Sequence, residues 1–313
     1  MISIAIPTYN RGHLIGQTLA GIDAILPLSV PIVIRDNGST DQTRTVIELF
    51  SSRTSRIVIY SNNEENIGID QNIFRVINDC TTRYVWLMGD DDLPEPNAWE
   101  EISTIFEKHS DLAVIILNYR VWDSKLEKAV SAGVIEGEKR EYFESGIELL
   151  PKVGELLCFL SILIIDREKF INAMSAVGYF PKNTAVDFVS PIIKILKKYP
   201  ALLSTFPTIR FRSGDEDRGF NRILVIWEYI TILEKLLREN KFKKLIKSSK
   251  LLMLKRYVIP QLRLRRNRGD LTMILRITIF KTLAAKFWGY KIFWTKGVPQ
   301  LLIPKKISFS KRS

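Results

Sequence analysis

The sequence predicts an α/β fold, a mostly parallel sheet flanked by helices, followed by a basic helical extension. Three observations lead there. Over the first 120 residues, runs rich in β-branched side chains alternate with stretches of helical periodicity, the pattern of successive βαβ units. Each of the first four strand-like runs is followed by a polar, turn-forming cluster, which gathers the ligand-capable side chains at the end where open parallel sheets bind. Charge is also divided along the chain. Residues 241–313 hold 20 Lys and Arg against one acidic residue, so a tail of about +19 follows a body of about −7 in a net +12.

The elements follow in order. "ISIAIP" is the first strand, and "HLIGQTLAGIDAI" a helix with Leu14, Ile15, Thr18, Leu19 and Ile22 on one face. "PIVIRDN" is the second strand, and "STDQTRTVIELFSSR" a helix that Ser39 or Asp41 is placed to cap. "RIVIYSN" is the third strand, and "GIDQNIFRVINDC" a helix burying Ile69, Ile73, Val76 and Ile77. "YVWLM", a helix over "AWEEISTIFEKH" and the strand "DLAVIILNY" complete the first half. Further on, "LLCFLSILII" (156–165) reads as a buried strand or strand pair, and "DREKF" after it as a solvated turn. The chain of 313 residues is long enough for one large domain and an appendage. The boundaries expected are 1–220, itself divided at 120, and 221–313.

Several classes are disfavoured. Cys80 and Cys158 are far apart in apolar surroundings and read as reduced core residues. His13 and His109 have no metal-ligand spacing. No apolar run approaches the roughly 20 residues of a membrane span. Because the chain opens directly on a strand, with no basic start or cleavage site, a cytoplasmic protein is expected.

The four polar clusters are "PTYNR" (7–11), "RDNGSTD" (35–41), "NNEENIG" (62–68) and "GDDD" (89–92). Asp90, Asp91 and Asp92 are adjacent, and adjacent carboxylates repel unless a cation offsets them. An oxygen-only ligand set suits Mg²⁺ or Mn²⁺.

In order and spacing, "SIAIPTYNR", "IRDNGSTDQT", "ENIGIDQN" and "YVWLMGDDDLPEP" resemble the nucleotide-sugar half of family 2 glycosyltransferases with the GT-A (Rossmann-like) fold. The likeness covers residues 1–120 well, continues more weakly to about 215, and is nearest to bacterial O-antigen and surface-polysaccharide enzymes of the abequosyltransferase type. What the resemblance implies is a divalent metal and a nucleoside-diphosphate sugar donor. Pro96 sets the register of the aspartates, so that Asp91 and Asp92 fall on metal positions and Asp90 near the ribose. Gly89 departs from the family's first Asp. Pro7, Thr8, Tyr9 and Asn10 resemble the loop that cradles base and ribose, and Asp36 the acid that bonds the base. Asn66 and Gly68 shape the third loop, which Asn72 braces. Arg11 reads two ways, on a donor phosphate or in a pair with Asp36 or Asp41.

Inverting members need a carboxylate to take the proton of the attacking hydroxyl. Asp187, ahead of a helical stretch with Ile192, Ile193 and Leu196, is the expected base. Asp215, Glu216 and Asp217 are its rivals, in a loop where Arg210 and Arg212 are candidates to hold the diphosphate.

In the tail, Phe242, Leu245, Ile246, Ser249, Leu252 and Met253 line one face of a helix expected over 241–260. "FWGYKIFW" then packs five aromatics into eight residues. Basic and aromatic together suit an anionic membrane surface, with nucleic acid and simple packing on the body as the other readings. The function expected is therefore an inverting, metal-dependent glycosyltransferase with a lipid-linked oligosaccharide acceptor, peripheral on the inner face of the plasma membrane and not bound to nucleic acid. The alternatives are a sugar nucleotidyltransferase, whose Gly-rich basic signature "PTYNR" lacks, and an inactive fold serving attachment.

Overall fold

The computed structural model describes residues 2–175, 184–213, 222–268 and 273–302. By contacts within the chain they form two compact units, 1–149 with 156–220, and 150–155 with 221–313.

The first unit begins with β1 (Ile2–Thr8), α1 (Ile15–Ile25), β2 (Ile32–Asp36), α2 (Thr43–Ser51), β3 (Val58–Asn62), α3 (Ile69–Asp79) and β4 (Tyr84–Leu87). It continues with β5 (Leu93–Pro94), α4 (Ala98–Lys108), β6 (Val114–Trp122), β7 (Ala129–Gly133) and β8 (Arg140–Phe143). The short α5 (Leu150–Val153) belongs to the second unit. β9 (Leu163–Asp166), α6 (Arg167–Ser175), α7 (Val189–Leu196) and β10 (Ala201–Arg212) complete the first.

All ten strands make one sheet, ordered β3-β2-β1-β4-β9-β6-β10-β5, with β7 on β6 and β8 on β10. β1 pairs in parallel with β2 and β4, β2 with β3, and β6 with β10. β9 lies antiparallel between β4 and β6, so those two point the same way as each other. Six strands thus share one direction, and their carboxyl ends form one edge. β1 and β4 are buried at every residue, as expected of parallel strands covered on both faces. α3 lays Ile73, Phe74, Val76 and Ile77 into the core, and α1 Ile15, Thr18, Leu19 and Ile22.

Two glycines let the loops approach each other. Gly38 (φ +76°) lies so close to Glu65 that a Cβ would fall 2.8 Å from its carbonyl carbon. Gly68 (φ +88°) turns the chain into α3.

Three expectations are corrected. Residues 156–165 are not one strand: 3₁₀ turns at Gly154–Cys158 and Leu160–Ile162 precede β9. Nor is Asp166 a solvated turn residue. It is buried, accepting from Arg83 Nε (3.3 Å), Lys169 N (3.1 Å) and Lys169 Nζ (2.6 Å). Arg210 and Arg212 lie on β10 and not in a loop.

The second unit is helical: α8 (Arg222–Leu236), α9 (Lys243–Met253), α10 (Ile259–Arg268), α11 (Met273–Phe287) and α12 (Val298–Leu302). The helix expected over 241–260 is interrupted by a π turn at Leu254–Val258. Tyr229, Leu254, Leu262, Phe287 and Phe293 are buried in its core. Glu234 accepts from Lys286 Nζ (2.6 Å) and from Lys250 Nζ, which ties α8 to α9 and α11. Among the described residues, no helix is long and apolar enough to cross a membrane.

Candidate active site

The carboxyl ends of β1, β2 and β4 bring three of the four polar clusters together. Thr8 is the ladder partner of Asp36, and its hydroxyl donates to Asp90 Oδ2 at 2.9 Å. Arg11 Nε lies 3.5 Å from Asp90 Oδ1, and Thr18 Oγ1 donates to the Asp90 carbonyl at 3.0 Å. Asp90 is therefore held from the first loop and from α1 together.

Asp36 is buried and accepts from Ser39 N (3.0 Å), Ser39 Oγ (2.5 Å) and Tyr60 Oη (3.0 Å). Burial and the neighbouring Asp36 charge push the Tyr60 phenol well above its usual range, so it stays a donor. Ser39 Oγ in turn accepts from Asn10 N (2.8 Å), and Asn10 Oδ1 from Thr40 N (2.9 Å). Asn10 makes this clasp at φ +52°, a region asparagine enters more readily than most residues. Tyr9, beside it, is 41% exposed. Asp41 accepts from Gly12 N (3.0 Å) and Thr43 N (2.9 Å), joining the first loop to the start of α2.

A chain of amides sets the third loop. Asn37 Nδ2 donates to Asn66 Oδ1 (2.8 Å), Asn63 Nδ2 to both Asn37 Oδ1 and Asn72 Oδ1 (2.9 Å each), and Asn72 Nδ2 to the Arg35 carbonyl (2.9 Å). Asn66 Oδ1 also accepts from Gly68 N at 2.9 Å. Asn66, Gly68 and Asn72 thus shape and brace this loop through one another.

The aspartates after β4 differ in burial: Asp90 is half-buried, and Asp91 and Asp92 are buried. Asp92 is fully buried: Oδ2 accepts from Ser161 Oγ (2.5 Å) and Oδ1 from Arg212 N (3.3 Å). Burial pushes its carboxyl up to about 6, although both bonds oppose the shift. Asp92, expected as a metal ligand, anchors the turn through these two bonds. A Cβ on Gly89 would stand 2.9 Å from Asp92 Oδ2 and 3.2 Å from both Asp91 Oδ1 and Ser161 Oγ. The departure at Gly89 has its reason there, because the turn is folded back on that position.

Arg212 is a brace as well, its guanidinium donating to the Asp91 carbonyl (3.1 Å), the Ser124 carbonyl (2.6 Å) and Gln17 Oε1 (2.7 Å). Arg210 pairs with Glu95 (3.1 Å) and covers the Trp122 ring. Both guanidinium groups are engaged within the fold, which corrects the expectation that they hold a diphosphate.

Asp187 is buried just ahead of α7. Across the sheet edge Asp70, in the first turn of α3, accepts from Ala185 N (2.7 Å) and Phe188 N (3.3 Å). Burial first, and then the Asp187 charge, push the Asp70 carboxyl up to about 6. The rival bases Asp215, Glu216 and Asp217 lie outside the described residues.

Does this donor set fit a divalent metal? Among the described residues no three acidic, histidine or cysteine side chains converge on one point. A Mg²⁺-type ion held by one or two carboxylates and completed by substrate phosphate oxygens needs no such cage. Asp91, with Asp90 beside it at the sheet edge, fits that arrangement.

A mixed, mostly parallel sheet flanked by helices is a GT-A-like fold. The chain belongs to glycosyl transferase family 2: the family model matches residues 3–169. It is 30% identical over 187 residues to abequosyltransferase RfbV of Salmonella typhimurium, a stretch covering 54% of each chain. It is 26% identical to glycosyltransferase GlyG of Streptococcus pneumoniae over 74% of this chain and 68% of that one. The aligned part of the first relative is thus about half its length. Two solved structures share the fold. One is S. aureus TarS 1-349 with UDP-GlcNAc (TM-score 0.63, 14% identity, covering 91% of this chain and 80% of that one). The other is the mannosyltransferase PcManGT of Pyrobaculum calidifontis with GDP-Man and Mn²⁺ (TM-score 0.54, 15% identity, 96% and 84%).

Ser161, Asp70 and Gln17 escaped the sequence reading. Each acts through hydrogen bonds to residues at least 69 positions away, and no local pattern marks such partners.

Proposed function

We propose that this protein is an inverting, metal-dependent glycosyltransferase. It moves a sugar from a nucleoside-diphosphate donor to a lipid-linked glycan acceptor in bacterial surface-polysaccharide synthesis. The observation that carries the reading is the joining of Thr8, Arg11 and Asp90 beside Asp36 and Asp91 at one sheet edge. The exposed Tyr9 ring offers a stacking face for the base. Asp36 keeps lone pairs beyond those given to Ser39 and Tyr60, since an ionised carboxylate has about four acceptor sites. Backbone groups of 7–10 line the same loop. Asp90 sits by the ribose position. Asp91 holds Mg²⁺ or Mn²⁺, which when bound offsets the charge of the departing diphosphate. Asp187 takes the proton of the acceptor hydroxyl as its oxygen bonds to the sugar carbon and the sugar–phosphate bond breaks.

A relative named as an abequosyltransferase and neighbours solved with UDP-GlcNAc and with GDP-Man support a sugar-nucleotide donor. The basic second unit, with Trp288 63% exposed, supports attachment to anionic lipid at the cytoplasmic face. The test is a thermal-shift panel of UDP-, GDP-, CDP- and dTDP-hexoses, each with and without Mn²⁺. One nucleotide class should stabilise the protein, and more strongly with the metal. No response to any member overturns the reading.

A further inference from the structure

Two observations meet at the segment that carries Asp187. Ala185 has φ +66°, a left-handed conformation that is costly for any residue with a Cβ and persists only where its surroundings over-determine it. A carboxylate is part of those surroundings: Asp70 takes Ala185 N at 2.7 Å and Phe188 N at 3.3 Å, one on each oxygen. Val186 and Phe188 are packed into the core on either side of Asp187. Below them, Val189 N donates to the Val186 carbonyl (3.1 Å) and Ser190 N to the Asp187 carbonyl (3.0 Å), the first bonds of the turn into α7.

Asp70 itself is completely buried. A carboxylate is seldom buried without a strong reason, and a helix start here would be served equally well by an exposed acid. Its place is telling in a second way. Asp70 stands two residues beyond Gly68 and two before Asn72, both tied into the amide chain that shapes the third loop.

We propose that Asp70 is a positioning residue for Asp187. Through two backbone N–H groups it holds residues 185–188 in the strained turn that presents the Asp187 carboxylate, and it links that turn to the third loop. The inference rests on Asp187 being the general base. The raised pKa of Asp70, due first to burial and then to the Asp187 charge, agrees with two carboxyl groups kept close together.

The test uses the full chain and the sugar nucleotide selected by the thermal-shift panel. Nucleoside diphosphate release, with water standing in for the acceptor hydroxyl, is measured for Asp70→Asn, Asp187→Asn and the double variant. The amide offers only one acceptor to the two N–H groups. Asp70→Asn should therefore lower kcat by about 10–100-fold, the scale of a misplaced reacting group, with donor KM unchanged. In the Asp187→Asn background it should have no further effect, because its action passes through that residue. Multiplying losses, or a loss that falls in donor KM, would overturn the proposal and leave the base assignment standing. Wild-type kcat in Asp187→Asn would overturn the base assignment and this proposal with it. Should Asp70→Asn show no melting transition, Asp70→Glu replaces it, keeping the charge while moving the carboxylate by one methylene. The same kcat loss is expected, and unchanged kcat would overturn the idea.

Discussion

Ser161 Oγ donates to Asp92 Oδ2 at 2.5 Å and accepts from Gly89 N at 2.9 Å, closing the acidic turn from a segment 69 positions away. Removing the hydroxyl leaves a buried carboxyl short of a donor and an N–H without its acceptor. Ser161→Ala should lower stability by about 1–3 kcal/mol, the scale of a lost bond to a buried charged group. Urea unfolding checks this, and an unchanged midpoint contradicts it.

Asp91→Asn keeps the shape of the side chain and removes its charge. Donor binding that responds to Mn²⁺ should disappear while the melting temperature without donor stays the same. Full turnover in this variant, or in the parent protein under excess EDTA, excludes Asp91 as the metal's holder.

For Asp187→Asn, kcat should fall by about 10²–10⁴-fold, the usual contribution of a general base, with donor affinity retained. The comparison variant is Asp217→Asn. A larger kcat loss there transfers the role to the 215–217 group.

Among the described residues neither carboxyl oxygen of Glu155 has a hydrogen-bond partner, and burial pushes the group up to about 8. Folding raises this pKa, so its contribution to stability is complete below the ordinary value of 4.5 and is lost as pH rises through about 8. Glu155→Gln stays neutral throughout. The melting temperature of the parent should fall relative to Glu155→Gln between pH 5 and pH 9, and parallel curves would refute the prediction.

Trp288 and Trp294 meet edge to face at 4.5 Å, and Trp294 Nε1 donates to the Trp288 carbonyl at 2.8 Å. The pair stands exposed with Lys291 and Lys296. Rings at headgroup level add a salt-resistant part to basic attachment. Trp288→Ala should sediment less with vesicles containing phosphatidylglycerol, most clearly in high salt. Equal sedimentation at all salt concentrations sets the membrane role of this pair aside.

The loops at the carboxyl edge were legible because their signals are local. "PTYNR", "RDNGSTD" and "GDDD" each follow a strand, and the βαβ alternation by itself puts them at one edge. The division of charge at the tail was equally plain. The anchoring role of Asp92 was not legible, because its partners lie far away in sequence. Its two bonds come from Ser161 and from the backbone of Arg212, and both arrive from distant segments.

The residues 156–165 show the same limit, since apolar runs of that length do not distinguish a strand from 3₁₀ turns. β10 carries Pro207 and Ser204 within its twelve residues and has no clean alternation to announce it. The sequence alone determined the alternating architecture, the carboxyl-edge location of the acidic and aromatic loops, and the acidic body with its basic tail. These follow from periodicity and composition, which each segment carries within itself. Only the tertiary structure decided that Asp92 anchors its turn, that Arg212 is structural, and that Asp70 accepts from the backbone on both sides of Asp187. Each of those roles is a hydrogen bond between distant segments, and its energy exists only once the sheet has brought both partners out of water.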